Sequence, residues 1–298
     1  MDIRSARRLG IATLSASPTP ALDTDVLLGH VTCREKSFLL AHSSDDLTAQ
    51  QLQAFTAALE RRKTGLPVAY ITGHKEFYGF DFLVTPDVLI PKPDTELMTE
   101  HAVEWLKQRA DAPSGTVRVA DVCTGSGCVG LSVVREAGVS AVLTMTDISA
   151  AALSVAAKNA ERILLPGQLR NTVIVQGDLL SAVSETSEFD MILSNPPYIP
   201  ADEVTELLKD GRCEPRLALD GDTDSAAGSR SGNDGLAIIK RLIPQAFSHL
   251  AAGGIFMLET GEDNAGASAE LMKKAGFTRV VTHRDLAGRL RLTTGNKR

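Results

Sequence analysis

Cysteine and aromatic residues are scarce in this chain of 298 residues: it has four cysteines, and aromatic side chains make up 4% of it. The cysteines Cys33, Cys123, Cys128 and Cys213 form no Cys-x-x-Cys pair and lie at no metal-ligand spacing from the histidines. We therefore expect no metal site, and a reducing compartment such as the cytoplasm. No run of about eighteen apolar residues occurs, so the sequence predicts no membrane partner.

Positive charge is limited as well. Lysine and arginine number 31 against 37 acidic residues, which gives a net charge of -6. The basic residues are scattered, whereas proteins that bind nucleic acid concentrate them on one face. The sequence thus indicates no direct requirement for nucleic acid. Its hydrophobic fraction of 43% is enough for one large domain and a smaller one.

Residues 1–73 are predicted to form a small helical domain that recognises a partner. Apolar residues such as Leu27 and Leu59 recur there at helical intervals, between breaks rich in Ser, Asp and Thr. The acidic and basic residues of this segment nearly balance, which favours a protein over a nucleic acid as the partner.

Residues 74–298 are predicted to form the larger domain, which begins with a connector. Phenylalanines alternate there around Tyr78-Gly79, a pattern typical of a β-hairpin. Prolines then stiffen the chain, and Asp94, directly after Pro93, is placed to cap the next helix.

Short apolar runs alternate with amphipathic helices from residue 117 onward. The predicted strands are 117–122, 142–146, 173–175, 191–193, 255–258, 280–281 and 290–292, and the predicted helices follow residue 127 and cover 150–162, 236–250 and 265–275. Such alternation predicts an α/β fold with a mostly parallel sheet and helices on both faces. The carboxyl ends of such strands meet at the edge where ligands bind.

The first of these strands ends in a turn that contains glycine. The turn reads Asp121-Val122-Cys123-Thr124-Gly125-Ser126-Gly127. Glycine lets the backbone approach a ligand closely, and the helix that follows presents free N–H groups. The turn also fits the dinucleotide pattern Gly-x-Gly-x-x-Gly, which is a weak signal by itself.

Three carboxylates, Asp121, Asp147 and Asp178, end successive strands. Asp147 is suited to accept from both ribose hydroxyls and Asp178 from an adenine amine, while Asp121 adds negative potential. Such a pocket repels a pyrophosphate and suits a ribose, an adenine, an ammonium and a sulfonium, which together describe S-adenosylmethionine. Two alternatives stay open: each aspartate is also a common cap or turn residue, and Asp147 also fits the ribose site of an NAD fold.

The loop Asn195-Pro196-Pro197-Tyr198 follows the fourth strand at the same edge. Two prolines fix φ and remove two N–H donors, so the loop offers mainly acceptors. If the Asn195 side-chain oxygen and the Pro196 carbonyl take both hydrogens of a planar NH₂ group, its lone pair is turned toward a methyl donor. Tyr198 is suited to stack on the planar group. The loop predicts methylation of a conjugated nitrogen, and a Pro-rich turn without function is the alternative.

With both motifs in place, the chain resembles the class I methyltransferases, and within them the protein-(glutamine-N5) methyltransferase family that acts on peptide chain release factors. The resemblance covers nearly the whole chain. Besides the turn and the loop, it is carried by Pro67-Val68-Ala69-Tyr70-Ile71-Thr72-Gly73, Glu76-Phe77, Val88-Leu89-Ile90-Pro91-Lys92-Pro93-Asp94-Thr95-Glu96, Asp147-Ile148-Ser149, Glu214-Pro215-Arg216-Leu217-Ala218-Leu219-Asp220-Gly221 and Asp285-Leu286-Ala287-Gly288.

The resemblance implies a Rossmann-like, mostly parallel seven-stranded sheet and S-adenosyl-L-methionine as the cofactor. It also implies that the loop holds the glutamine of a Gly-Gly-Gln motif in a release factor, with the helical domain engaging that partner. We therefore assign catalysis to Asn195, Pro196 and Tyr198, and substrate binding to these three with Pro197. The expected cofactor-binding residues are Asp121, Cys123, Thr124, Gly125, Ser126, Gly127, Asp147, Asp178, Leu179 and Asn195.

The chain departs from the family pattern at several positions. The family usually has Gly where Cys123 stands, Arg where Lys92 stands and Glu where Asp94 stands. A side chain at Cys123 would weaken cofactor binding if that position needs a positive φ. About ten residues are also inserted between Gly221 and Gly232, in a loop that bears on partner recognition.

Three other functions remain open from the sequence. A glutamine methyltransferase that acts on a ribosomal protein would use the same loop. An adenine-N6 DNA methyltransferase would meet the same NH₂ chemistry, but it would need a target-reading domain and a basic groove. A cofactor-binding module without turnover is compatible with Cys123.

Overall fold

The computed structural model describes residues 1–109, 115–209, 214–224, 229–230 and 232–298. The chain divides into two compact units, one comprising Met1–His74 with Leu207–Cys213 and the other Lys75–Glu206 with Glu214–Arg298. Cys213 and part of the inserted segment lie outside the described residues. The predicted domain boundary between residues 73 and 74, and the predicted recognition of a partner by residues 1–73, stay predictions.

The first unit is helical. It contains α1 (Ile3–Thr13), α2 (Pro20–Thr32), α3 (Lys36–Ala41), α4 (Ala49–Lys63) and α5 (Val68–Thr72). Phe55 and Leu27 are fully buried in its core. Helix α4 begins at a capping box, because Thr48 Oγ1 accepts from Gln51 N at 3.2 Å and Gln51 Oε1 accepts from Thr48 N at 3.0 Å.

The predicted hairpin is confirmed, with strands β1 (His74–Phe77) and β2 (Phe80–Leu83). Tyr78 and Gly79 form its turn with φ of 51° and 78°. Positive φ at both central residues is the turn geometry whose twist matches that of paired strands. Glu96 Oε1 stabilises the turn by accepting from Tyr78 N at 2.9 Å.

The second unit is built around a sheet, which has seven strands in the described residues. The strands of this unit are β3 (Val117–Val122), β4 (Ala141–Asp147), β5 (Thr172–Gln176), β6 (Phe189–Ser194), β7 (Thr223–Asp224), β8 (Ser229–Arg230), β9 (Leu250–Glu259), β10 (Thr278–Arg284) and β11 (Leu290–Asn296). The sheet order is β10-β11-β9-β6-β3-β4-β5, and β7 and β8 pair separately. The five adjacent strands β9, β6, β3, β4 and β5 run parallel to one another. Strand β11 pairs antiparallel with β9, and β10 pairs antiparallel with β11.

Helices cover both faces of this sheet. The helices that follow β2 in the chain are α6 (Glu96–Arg109), α7 (Cys128–Ala137), α8 (Ala150–Ile163), α9 (Pro166–Arg170), α10 (Ala201–Lys209), α11 (Ala237–His249) and α12 (Glu262–Lys274). Of these, α6, α7 and α8 pack on one face, and α11 and α12 pack on the other. Alternate strand residues serve different layers: Met257 belongs to the core with α6 and α7, and Phe256 to the core with α11 and α12. A fully buried side chain of this size contributes about 1.5–3 kcal/mol.

The strand order places a crevice at the carboxyl end of β3. Strands β4 and β5 lie on one side of β3, and β6 and β9 lie on the other. In open α/β sheets ligands bind where the order reverses in this way. The turn after β3 and the loop after β6 therefore share one edge, and the predicted α/β fold class is confirmed.

Candidate active site

A cavity of about 240 Å³ opens at this edge of the sheet. Its lining includes the predicted residues Asp121, Cys123, Thr124, Gly125, Ser126, Asp147, Asp178, Leu179, Asn195 and Pro197. Three predicted residues, Gly127, Pro196 and Tyr198, are not among the lining residues. The remaining lining residues lie within the segments 86–95, 148–152 and 215–223 and at Cys128, Val129 and Ile238, and Thr95 is one of them. The cavity thus joins the glycine turn to the Asn-Pro-Pro-Tyr loop.

Asp121 anchors the glycine turn. Its Oδ2 accepts from Thr124 Oγ1 at 2.6 Å and from Gly130 N at 3.0 Å. Burial raises the pKa of Asp121 to about 6, although these hydrogen bonds lower it. Asp121 is therefore mainly an anion at neutral pH. Asp121 thus holds the turn by hydrogen bonds, besides adding the negative potential that the sequence predicts.

Cys123 adopts a left-handed backbone conformation with φ of 59°. Gly125 and Gly127 share this region with φ of 55° and 81°, and in them it carries no side-chain penalty. Burial raises the pKa of the Cys123 thiol, and Asp147 raises it further, so the group is neutral. Cys123 therefore has the positive φ that is the condition under which its side chain is expected to weaken cofactor binding.

Asp147 ends β4 and closes the turn from the other side. Its Oδ2 accepts from Gly125 N at 2.9 Å, and its Oδ1 accepts from Ser149 N at 2.9 Å. Burial raises the pKa of Asp147, against the lowering effect of these backbone N–H groups. The carboxylate is held rigidly at the cavity, and acceptance from ribose hydroxyls stays a prediction.

Asp178 is paired with a residue that the sequence analysis missed. Arg241 Nη2 of α11 donates to Asp178 Oδ2. The predicted bond to an adenine amine therefore concerns Asp178 Oδ1. Leu179, beside it, is buried with φ of 57° and presents its side chain to the cavity. No local motif indicates Arg241, because it lies 63 residues from Asp178.

The Asn195 amide is held by two partners from elsewhere in the chain. Asn195 Nδ2 donates to Glu259 Oε1 at 2.9 Å and to Thr95 Oγ1 at 3.2 Å. With Nδ2 directed at these two partners, Oδ1 is the acceptor of this side chain. Asn195 lines the cavity, so an acceptor faces any ligand that binds there.

Glu259, at the end of β9, is a buried carboxylate that the sequence analysis also missed. Its side chain is 2% exposed, and Oε1 additionally accepts from Thr95 Oγ1 at 3.1 Å. Burial raises the pKa of Glu259 to about 7, while Thr95 and Arg291 lower it. Oε2 has no hydrogen-bond partner among the described residues.

Tyr198 is half-buried and is not among the residues that line the cavity, so its stacking role stays a prediction. Its hydroxyl accepts from Arg291 Nη1 at 3.4 Å, and its carbonyl accepts from Asn264 Nδ2 at 2.8 Å. Burial raises the pKa of Tyr198 to about 12. A Cβ on Gly235 would lie 2.1 Å from the Tyr198 carbonyl oxygen, so only glycine fits beside this loop.

The prediction that Asp94 caps α6 is wrong. Asp94 does not cap the helix: its Oδ2 pairs with Arg291 Nη2 at 3.2 Å. Lys92 Nζ donates to the buried Glu214 Oε1 at 2.7 Å, and Ile90 N donates to the same oxygen at 3.2 Å. With lysine in place of the family's arginine, the ion pair is a point contact rather than a fork.

The described residues contain neither a metal-binding cluster nor a membrane-spanning helix. No cluster of three or more His, Cys, Asp or Glu side chains there is arranged to hold a metal ion. Within the same ranges, no helix combines the length and apolar character needed to cross a membrane.

Known proteins resemble this chain along its whole length. The model of the PrmC N-terminal domain matches residues 5–73, and that of the methyltransferase small domain matches residues 99–211. The release factor glutamine methyltransferase of Bordetella pertussis is 41% identical over 276 residues, which are 93% of this chain and 94% of that protein. This chain belongs to the release factor glutamine methyltransferase family.

Another member of this family and one solved structure also match this chain. The release factor glutamine methyltransferase of Escherichia coli K12 is 35% identical over 298 residues, 99% of each chain. The N-terminal domain of human METTL16, solved in complex with SAH, matches with a TM-score of 0.51 and 15% identity over 90% of this chain and 93% of that one. At such identity the second likeness shows the methyltransferase fold alone.

Proposed function

We propose that this chain transfers a methyl group from S-adenosyl-L-methionine to the side-chain nitrogen N5 of a glutamine, in the Gly-Gly-Gln motif of a peptide chain release factor. The observation that carries the proposal is the Asn195 amide. Its Nδ2 donates to Glu259 and Thr95, which leaves Oδ1 as the acceptor of a side chain that lines the cavity. An acceptor there suits a primary amide, which has two hydrogens to donate.

The residues of the cavity fit this cofactor. Asp121 and Asp147 hold the turn, and their carboxylates favour a ligand that carries an ammonium and a sulfonium, while Asp178 beside them is balanced by Arg241. Lys92 is the basic side chain in the described lining, and Glu214 neutralises it. When bound, the cofactor supplies an electrophilic methyl group.

The residues of the chain bind and orient the amide. Asn195 Oδ1 and the Pro196 carbonyl are proposed to accept its two hydrogens, which turns the nitrogen lone pair toward the methyl donor and stabilises the positive charge that develops there. Positioning of this kind supplies most of the rate when no dedicated base is needed. Tyr198 is proposed to border the planar substrate group, and Pro197 to shape the wall beside it.

The partner and the location belong to the same proposal. Relatives that match over nearly the full length are named for release factors, and the first unit coincides closely with the matched PrmC N-terminal domain. We propose that residues 1–73 engage the release factor and that the protein acts in the cytoplasm.

The proposal is tested by incubating the protein with labelled S-adenosylmethionine and, in separate reactions, purified release factor, ribosomal proteins and adenine-containing DNA. Mass spectrometry then locates the label. We expect it on the glutamine of the Gly-Gly-Gln motif. Label on DNA or on a ribosomal protein instead would reject the release factor as substrate, and cofactor binding without label on any of them would indicate a module without turnover.

A further inference from the structure

An asparagine amide can face a ligand in two orientations of nearly equal shape. With the oxygen forward it accepts from the NH₂ group of a glutamine. With the nitrogen forward it opposes that NH₂ group with its own hydrogens. The proposed reaction therefore requires something that selects one orientation of Asn195.

Glu259 is placed to make that selection. Glu259 Oε1 accepts from Asn195 Nδ2 at 2.9 Å and from Thr95 Oγ1. The ionised carboxylate has no hydrogen to donate, and the proton of the neutral form belongs on Oε2, which has no partner among the described residues. In both forms Oε1 therefore pairs with Nδ2 and not with Oδ1. Thr95 Oγ1 reinforces this, because its hydrogen points to Glu259 Oε1 at 3.1 Å and its lone pairs accept from Asn195 Nδ2 at 3.2 Å. The three side chains form a closed triangle of hydrogen bonds.

We propose that Glu259 is a positioning residue that fixes the amide of Asn195 with its oxygen toward the acceptor nitrogen. The inference rests on the proposed function, since a glutamine amide is the group that needs this orientation. Glu259 is not among the residues that line the cavity, so it acts through Asn195.

Stability alone does not account for a carboxylate at this position. Glu259 is 2% exposed, and its Oε2 lacks a hydrogen-bond partner among the described residues. The charged groups that act on it are Arg291 and Asp94, with Tyr198 also facing it. Burying a carboxyl group costs free energy unless its oxygens are paired or hydrogen-bonded, and one of these oxygens is not. An acceptor that orients Asn195 gives this otherwise costly residue a function.

The test compares Glu259→Leu, which removes the acceptor, with Glu259→Gln, whose Oε1 can accept from both partners. We expect Leu to lower kcat by ~100-fold, the scale of losing a preorganised polar contact. Gln should stay within about five-fold of wild type. KM for the release factor and the calorimetric Kd of S-adenosylmethionine should change little in both, because neither ligand contacts Glu259.

Two buried threonines provide a matched pair. Thr95 is 2% exposed and belongs to the triangle, whereas Thr99 is 0% exposed and its Oγ1 has no partner in the described residues. Thr95→Val should lower kcat by about ten-fold, and Thr99→Val should leave it unchanged. If the Leu variant fails to fold by circular dichroism, this pair and Glu259→Gln carry the test.

Wild-type kcat in Glu259→Leu, or equal kcat in the two valine variants, would overturn the inference. So would a Gln variant as slow as the Leu variant, since charge rather than hydrogen-bond acceptance would then be required. These outcomes leave the proposed function intact. Failure of the wild-type protein to methylate glutamine would instead reject the proposed function itself.

Discussion

The two halves of the cavity are organised in different ways. On the donor side, backbone N–H groups hold two of the aspartates: Asp121 accepts from Gly130 N, 9 residues away, and Asp147 accepts from Ser149 N and Gly125 N, 2 and 22 residues away. On the acceptor side, Asn195 bonds to side chains 64 and 100 residues away. Backbone groups thus fix most of the donor side, with the Asp178–Arg241 pair as an exception, whereas distant side chains fix Asn195. Substitutions on the donor side should therefore change cofactor affinity, and substitutions on the acceptor side should change the rate of methyl transfer.

The largest effect is expected at Asn195. Asn195→Ala removes the acceptor while leaving the glycine turn intact, so methylation should fall by at least ~10³-fold and the Kd of S-adenosylmethionine should stay within a few-fold. Single-turnover methylation of the release factor and calorimetry measure the two quantities. Equal loss of both in a folded protein would contradict the division between the halves.

The acceptor side should also make stability depend on pH. Burial raises the pKa of Glu259 from its ordinary value of 4.5 to about 7, so the folded protein holds this proton more tightly than the unfolded chain. The stability from this proton is complete below pH 4.5 and is lost as pH rises through 7. The loss amounts to about 3 kcal/mol.

Glu259→Gln removes that titration. Between pH 5 and pH 8 the free energy of unfolding of wild type should therefore fall relative to the variant by up to about 3 kcal/mol. Urea denaturation at several pH values measures the difference. Asp121 titrates in both proteins, so its contribution cancels from the difference in the free energy of unfolding. Parallel pH profiles for the two proteins would show that Glu259 keeps an ordinary pKa.

Two glycines inside helices test the donor side. A Cβ at Gly130 would lie 2.8 Å from Asp121 Oδ2 and 3.1 Å from Leu143 Cδ1, whereas at Gly266 it would meet nothing within 4 Å. Gly130→Ala should destabilise the protein by about 1–3 kcal/mol and weaken cofactor binding. Gly266→Ala should stabilise it by about 0.5–1 kcal/mol with unchanged cofactor affinity. A neutral Gly130→Ala would contradict the role of Asp121 as the anchor of the turn.

The smallest effect is expected at Cys123. Cys123→Gly relieves the left-handed conformation and removes a side chain from the cavity, so the Kd of S-adenosylmethionine should fall by about three- to ten-fold. Cys33 is the matched control, because it has φ of 53° but is exposed at the end of α2. Cys33→Gly should give a similar change in thermal stability and none in affinity. Tighter binding in both variants would remove Cys123 as the cause.

The sequence predicts well what depends on local chemistry. The sheet, the hairpin at Tyr78 and Gly79, the glycine turn and the loop at Asn195 follow from apolar period and turn residues. Glu259 carries no such signal, since it ends an apolar strand and finds its partners only in the fold. Asp94 was predicted as a cap because Pro93 precedes it, but Arg291 on a distant strand binds it.

The short elements escaped prediction for another reason. Helix α9 has 5 residues, too few for a clear helical period. Helix α10 has 9, and Val204, Leu207 and Leu208 recur in it at helical spacing, a signal that the sequence analysis did not use. The β7–β8 pair has two residues in each strand and lies in the inserted segment. Such elements depend on the contacts around them more than on their own propensity.

The inserted segment begins and ends at anchored points. Asp222 Oδ1 accepts from Gly235 N at 2.9 Å, and Asp222 Oδ2 accepts from Ala201 N at 3.1 Å, so the two ends are one hydrogen bond apart. Closing a chain between fixed points costs only about 0.6 kcal/mol more for each doubling of its length. Evolution can therefore lengthen or shorten the chain between these anchors at little cost, and a peptide tag or fluorescent reporter inserted there would leave the Asn195 loop in place.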